Sequence, residues 1–217
     1  MTNLSTGKFR RQGAKGKKGY HHGDLRRALI DSALRLARRG GAADVTLRAI
    51  ARETGVTHMA AYHHFRDRED LLAAVAEEGY GHLEAALRRR VDAAGKSARA
   101  QLVAAGVAYV VFAASRPGEF RVMFSADASS LEGRRTLDEA RASAYAVLRA
   151  AIDRCQAEGL LPEATAAETN ALAAWSLVHG LAMLVLDRAV LGPRPARRQV
   201  EALALEVIRG SGWRASI

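Results

Sequence analysis

The twenty residues from Thr46 to Phe65 constrain this chain more than any other stretch. They read Thr-Leu-Arg-Ala-Ile-Ala-Arg-Glu-Thr-Gly-Val-Thr-His-Met-Ala-Ala-Tyr-His-His-Phe. Thr46 is a natural N-cap, because its hydroxyl can accept a hydrogen bond from an orphan backbone N–H. Leu47, Ile50 and Ala51 recur at i, i+3 and i+4, one face of a short helix. Gly55 stops that helix, since glycine takes the left-handed conformation a helix end often needs. Val56 fills the corner, and Thr57 caps a second helix running through Tyr62 to about His64. A helix, a glycine turn and a capped helix in so short a span form the helix-turn-helix pattern, whose second helix enters the DNA major groove.

Charge supports that reading by where it falls. The chain carries a net +10 over 217 residues. Residues 1–70 hold fifteen lysines and arginines against seven acids, a net +8, so the other 147 residues contribute only +2. A basic excess concentrated around the motif is the footprint of a polyanion-binding module. Residues 1–19, with six cations, four glycines and no acid, read as a disordered basic arm. Such an arm either lies along DNA phosphates or is a leader without specific contact.

The remainder reads as helix. Four prolines, abundant alanine, leucine and arginine, and no sustained alternation of β-branched residues predict an all-α fold. Asp24 is expected to cap the first helix, with Leu25, Leu29, Ala33 and Leu36 as its stripe and Gly40-Gly41 as its end. Asp67 caps a long helix to about Val91, which Gly79 and Gly81 interrupt. Ser97–Ser115 reads as a buried helix, Glu119–Phe124 as a short amphipathic piece and Ser125–Ser130 as loop. A helix from about Leu131 to Glu158 follows, then one opened by Pro162 and Thr165 and reaching about Val190. Ala196 to about Arg209 is the last, with Val200, Leu203, Ala204 and Val207 on one face. The expected domains are the arm at 1–19, a three-helix DNA-binding domain at 20–84, and an all-helical ligand-binding and dimerisation domain at 85–217.

The long apolar stretches Ala100–Ser115 and Thr169–Leu186 read as buried bundle helices rather than membrane spans. The first is short for a bilayer, and the second carries Thr169, Asn170, Ser176 and His179. The N-terminus lacks the apolar core of a secretory signal, and a single cysteine, Cys155, fits a reducing cytoplasm. No membrane partner is expected.

These residues carry a family resemblance. Thr46-Leu-Arg-Ala-Ile-Ala, Gly55-Val56, Tyr62-His63-His64-Phe65 and Glu69-Asp70-Leu71-Leu72 resemble the N-terminal signature of the TetR family of bacterial transcription regulators in type and spacing. The opening Tyr20-His21-His22-Gly23-Asp24-Leu25-Arg26 and the later Trp175-Ser176-Leu177-Val178-His179-Gly180 look like the branch whose C-terminal domain is named for a Trp-His-Gly motif. The resemblance implies a homodimeric repressor whose last two helices, with Gly180 allowing close approach, build a four-helix interface. It also implies release from an operator, commonly palindromic, by a small apolar or amphipathic ligand. The chain departs from the family in two places. Arg68 stands where the family usually has lysine, and Met59-Ala60-Ala61 replaces the usual start of the recognition helix, so an operator sequence does not transfer.

Thr57, His58 and Met59, exposed at the start of a short recognition helix, are expected at base edges, with Ala60 small enough to let the helix seat. Arg48 can pair with guanine bidentately. Thr46, Tyr62, His63 and Arg68 are placed for phosphates, which position a protein rather than specify a sequence. Ile50, Ala51, Val56, Ala61 and Phe65 are the expected core, and His64 reads as either core or backbone contact.

In the second half, Phe112, Phe120, Met123, Phe124, Tyr145, Trp175, His179 and Met183 are the candidates for lining a ligand pocket. His179, in an otherwise apolar run, is either satisfied in the core or exposed to the ligand. A metal centre is not expected: His21-His22 and His63-His64 are adjacent pairs that chelate poorly, and Glu78 with His82 has helical ligand spacing but no third partner. No cofactor is called for. An enzyme would need an activated nucleophile or paired carboxylates on an apolar face, and neither is found. A nonspecific basic binder is the other alternative, and salt-resistant binding at one palindrome distinguishes the two.

Overall fold

The computed structural model describes residues 22–125, 131, 133–161 and 165–211. The arm at 1–19, most of the expected loop after Ser125, and the expected helix opener Pro162 lie outside them. Among the described residues every regular element is a helix. In chain order these are α1 (His22–Gly40), α2 (Leu47–Thr54), α3 (His58–Tyr62), α4 (Arg68–Ala93), α5 (Ala98–Ser115), α6 (Pro117–Met123), α7 (Arg135–Ala157), α8 (Ala167–Leu186) and α9 (Arg197–Gly210), with one 3₁₀ turn at Ala42–Asp44.

The boundaries around the motif follow from side chains that satisfy orphan helix amides. Thr46 accepts from the Ala49 N–H at 3.1 Å, Thr57 from Ala60 at 3.2 Å, and Asp67 from Asp70 at 2.6 Å. Each such cap contributes about 1 kcal/mol. Gly55 closes α2 with φ +70°, and the Val56 N–H reaches back to the Ala51 carbonyl at 3.0 Å, a Schellman ending. Asp24 departs from expectation: the helical backbone already starts at His22, so Asp24 lies within the first turn.

Apolar faces of α1, α2, α3 and the start of α4 meet in one core of Leu29, Ile30, Val45, Leu47, Ile50, Phe65, Leu71 and Leu72. A polar clasp ties α1 to α2. Ser32 Oγ donates to Glu53 Oε2 at 2.8 Å and Arg35 Nε to Glu53 Oε1 at 3.0 Å. That pairing holds the Glu53 carboxyl below the usual carboxylate range.

The second half is a bundle centred on α5, which packs against α4, α7, α8 and α9. That central place explains why α5 is apolar on nearly every side. Helix α8 is as apolar but buries only part of its surface, leaving Leu172, Met183 and Leu184 exposed. It ends at Leu186, earlier than Val190, where Arg188 takes a positive φ of 61°. Helix α7 begins at Arg135, later than Leu131.

Glycines 79 and 81 do not break α4, which runs continuously through both. Gly79 instead provides a packing notch: a Cβ there would lie 2.6 Å from Met123 Sδ of α6. Helix α4 runs from one half into the other, and two more contacts join them. Helix α6 seats on α1, so closely that a Cβ on Gly118 would fall 2.5 Å from the Leu34 carbonyl oxygen. Arg121 donates to the Arg38 carbonyl beside it at 3.0 Å. Ahead of α7, Arg134 reaches Asp70 in the first turn of α4 at 3.2 Å.

Candidate functional site

Two surfaces carry chemistry, one at each end of this linkage. The first is the outer face of α2 and α3. Thr46, Arg48, Thr57, His58, Met59, Tyr62 and His63 are exposed, and Ala60 is half-buried. Met59 is 65% exposed, unusual for so apolar a side chain. Arg48 makes no hydrogen bond or ion pair among the described residues and projects from the first turn of α2. The His58 ring meets Tyr62 edge-on at 4.7 Å between centroids, which fixes both rings on the same face. Ala61 and Phe65 are buried beneath, as expected, and His64 is half-buried.

Arg68 has a task that spacing did not reveal. Its Nε donates to the Val45 carbonyl and its Nη2 to the Ala42 carbonyl, both at 2.8 Å. The planar fork of the guanidinium pins the turn between α1 and α2 to the start of α4, a geometry a lysine ammonium cannot reproduce. Arg26 caps the same region, its guanidinium 5.2 Å above the Phe65 ring.

The second surface is internal. A cavity of about 730 Å³ opens among α4, α5, α7 and α8, bounded also by the end of α6 and by Ile208 of α9. Its deep wall is apolar, with Leu83, Leu87, Ala105, Met123 and Val178; its rim carries Asp138, Arg141 and Glu168. A volume of this size is in the range that buries a drug-sized molecule. Phe124, Tyr145 and Trp175 line it as expected.

Four of the expected residues do not line the cavity. Phe112 is buried but does not line the cavity: the α5 lining ends at Tyr109, one turn earlier. Met183 lies beyond the α8 lining and is 38% exposed on the outer face of that helix. Phe120 and His179 stand behind the wall. Phe120 packs edge-on against Tyr109 at 5.6 Å, and His179 edge-on against Phe124 at 4.7 Å.

Tyr109 is the group the sequence reading missed, and its signal was a lone phenol in the apolar run of α5. Trp175 Nε1 donates to its oxygen at 3.1 Å, and the phenol lies 2.9 Å from His179 Nδ1. The arrangement that uses every group has Tyr109 O–H donating to an unprotonated Nδ1, with the histidine proton on Nε2. Burial favours this: it raises the Tyr109 phenol and lowers His179, keeping both neutral.

The other polar side chains of the lining are also engaged. Tyr145 O–H donates to Glu168 Oε1 and Arg149 Nη1 to Glu168 Oε2, both at 2.8 Å. Arg141 lies 3.6 Å from Asp138 and 5.7 Å over the Tyr80 ring. Ser125 Oγ donates to the Val122 carbonyl at 3.2 Å, and Tyr80 O–H to that of Met123 at 3.5 Å.

Glu78 and His82, spaced like metal ligands, diverge. Glu78 accepts from Arg27 at 2.7 Å, while His82 Nδ1 lies 3.0 Å from Glu119 of α6. Among the described residues no three histidine, cysteine or acidic side chains converge. Cys155 is buried, which pushes its thiol up and away from reactivity.

An exposed helix-turn-helix joined to a helical bundle with an apolar cavity defines a DNA-binding regulator. The comparisons name the kind. Residues 29–75 match the family model of bacterial regulatory proteins of the tetR family, and residues 102–208 match that of the tetracyclin repressor-like C-terminal domain. The chain therefore belongs to the TetR family, whose members are DNA-binding transcription regulators and not enzymes. It is 40% identical over 75 residues to the HTH-type transcriptional regulator BetI of Brucella suis biovar 1 (strain 1330), a match spanning 35% of this chain and 36% of that one.

Among solved structures, a protein of unknown function from Rhodococcus sp. RHA1 superposes with a TM-score of 0.73 at 34% identity, covering 92% of this chain and all of that one. AibR, solved with isovaleryl coenzyme A and operator DNA, shares the fold with a TM-score of 0.65 at 18% identity, over 83% of this chain and 96% of AibR.

Proposed function

We propose that this chain is a cytoplasmic, homodimeric repressor that reads a palindromic operator and leaves it when a small apolar or amphipathic molecule fills the cavity. The observation that carries the reading is the joining of an exposed recognition face to an apolar cavity through α4 and α6. In this reading the DNA-binding domain covers residues 20–84 and the regulatory domain 85–217, with α4 running across the boundary. Arg48, Thr57, His58, Met59 and Ala60 meet bases. Thr46, Tyr62 and His63 meet phosphates, and Arg68 shapes the turn beneath them and in this reading also faces the phosphates.

Dimerisation is supported by the outer face of α8. Met183 and Leu184 are exposed there, and nothing within 4 Å would obstruct a side chain at Gly180. A second copy packed against α8 and α9 covers that face and sets the two recognition helices for successive major grooves, about 34 Å apart. AibR, whose structure holds both an acyl coenzyme A and operator DNA, illustrates the same two-site logic in a relative of the fold.

Release then follows from linkage. A ligand that favours the dimer spacing unsuited to DNA lowers DNA affinity by its preference for that state, typically about 1–3 kcal/mol. The deciding experiment selects bound duplexes from a random pool and footprints the winner. Arg48→Ala and His58→Ala are each expected to weaken that operator by about 1–3 kcal/mol without lowering the melting temperature. Wild-type affinity in both variants removes these two residues from the interface.

A further inference from the structure

We infer that the effector is an uncharged, largely hydrocarbon or aromatic molecule, recognised by apolar contact rather than by a hydrogen bond or ion pair. This rests on the ligand-responsive reading above and narrows its chemistry. A site built to hydrogen-bond its ligand holds polar groups that are left unpaired without it, and that is how it rejects analogues. The polar side chains of this lining already face protein partners. Its deepest polar group, Tyr109, is engaged on both sides, by Trp175 and by His179.

Charge argues the same way. Arg141, the cation of the lining, already faces Asp138 and the Tyr80 ring, and Glu168 is already held by Arg149 and Tyr145. A carboxylate entering the cavity competes with Asp138 for Arg141, and an ammonium competes with Arg149 for Glu168. Either ligand otherwise buries a charge against Leu83, Leu87, Ala105 and Val178, which is strongly unfavourable. The two histidines nearest the lining do not change this balance. His179 is held neutral by burial and by Tyr109, and His82 is turned toward Glu119.

The test uses the full chain and three molecules sharing one tail: decan-1-ol, decanoate and decyltrimethylammonium, each below its aggregation concentration. They compete against Nile red, a neutral dye that brightens in apolar surroundings. Decan-1-ol is expected to displace the dye at concentrations at least about tenfold below either charged homologue. Displacement by decanoate or by the ammonium at equal or lower concentration overturns the inference. Ala144→Phe, which fills the cavity from α7, is expected to abolish dye binding while operator binding persists. Leu148→Trp, at a half-buried part of the lining, serves the same purpose if that variant does not fold. Failure of the wild-type chain to bind the dye, or binding that survives both substitutions, overturns the cavity as the effector site and with it the ligand-released reading.

Discussion

The recognition face and the cavity solve opposite problems with the same helices. Along α2 and α3 the polar side chains point outward, and Arg48 holds its donors open. Inside the bundle the polar side chains of the lining face protein partners, and most of the wall is hydrocarbon and aromatic ring. A duplex is read by donors and acceptors at fixed positions, so its reader must keep such groups unspent. A molecule taken up for its apolar surface is best met by a wall whose own polar groups are satisfied, since a buried unpaired group costs about 1–3 kcal/mol. On the proposed reading, one end of this protein discriminates by hydrogen-bond geometry and the other by shape and desolvation.

That contrast can be broken by substitution. Phe120→Ala should have the largest effect. Phe120 is fully buried at the junction of α6 with Tyr109 and Phe124, and its loss is expected to cost about 3–5 kcal/mol in denaturant unfolding. If instead the cost is below about 1 kcal/mol, the wall is not rigid and its satisfied polar groups say little about the ligand. Arg68→Ala follows, at about 2–3 kcal/mol, because two charge-assisted hydrogen bonds to the Ala42 and Val45 carbonyls are lost. Arg68→Lys should recover only part of that, which a denaturation midpoint resolves. Equal stability of the two variants would reassign Arg68 to the DNA-facing side.

The smallest effect is a pH slope. Burial holds His179 below its ordinary value, so the folded state disfavours its charged form. The associated stability is present in full above the unfolded histidine value of about 6.5, and is lost as pH falls from there toward the lower folded value. His179→Gln should flatten that acid-side slope in melting temperatures taken between about pH 5 and 8. An unchanged slope would show that the fold does not alter the proton affinity of His179, and a steeper one that His179 is charged in the fold and the Tyr109 chain runs the other way.

Much of the DNA-binding end was legible in the sequence because its determinants are local. Thr46, Thr57 and Asp67 cap the helices that follow them, and Gly55 ends its helix, through contacts within four residues. The cavity was less legible. Phe112 and Tyr109 are one turn apart on α5, and only the packing of distant helices around α5 decides that one is core and the other is wall. Met183 shows the same problem across α8, where composition cannot distinguish a face turned inward from one left exposed. Arg68 looked like a surface cation. The carbonyls that claim it belong to Ala42 and Val45, more than twenty residues earlier, in a turn with no periodic signature.

The seat of α6 on α1 bears on how such proteins are recombined. Because Gly118 lies against the Leu34 carbonyl and Arg121 holds that of Arg38, the boundary between the halves is a seam of main-chain contacts as well as a joint in α4. A chimera that keeps this reading head and takes a foreign regulatory bundle, spliced after Ala93, inherits a stranger's α6. Exchange of sensors between relatives will transmit a signal only when α1 and α6 travel together, so the natural unit of transplantation crosses the apparent domain border.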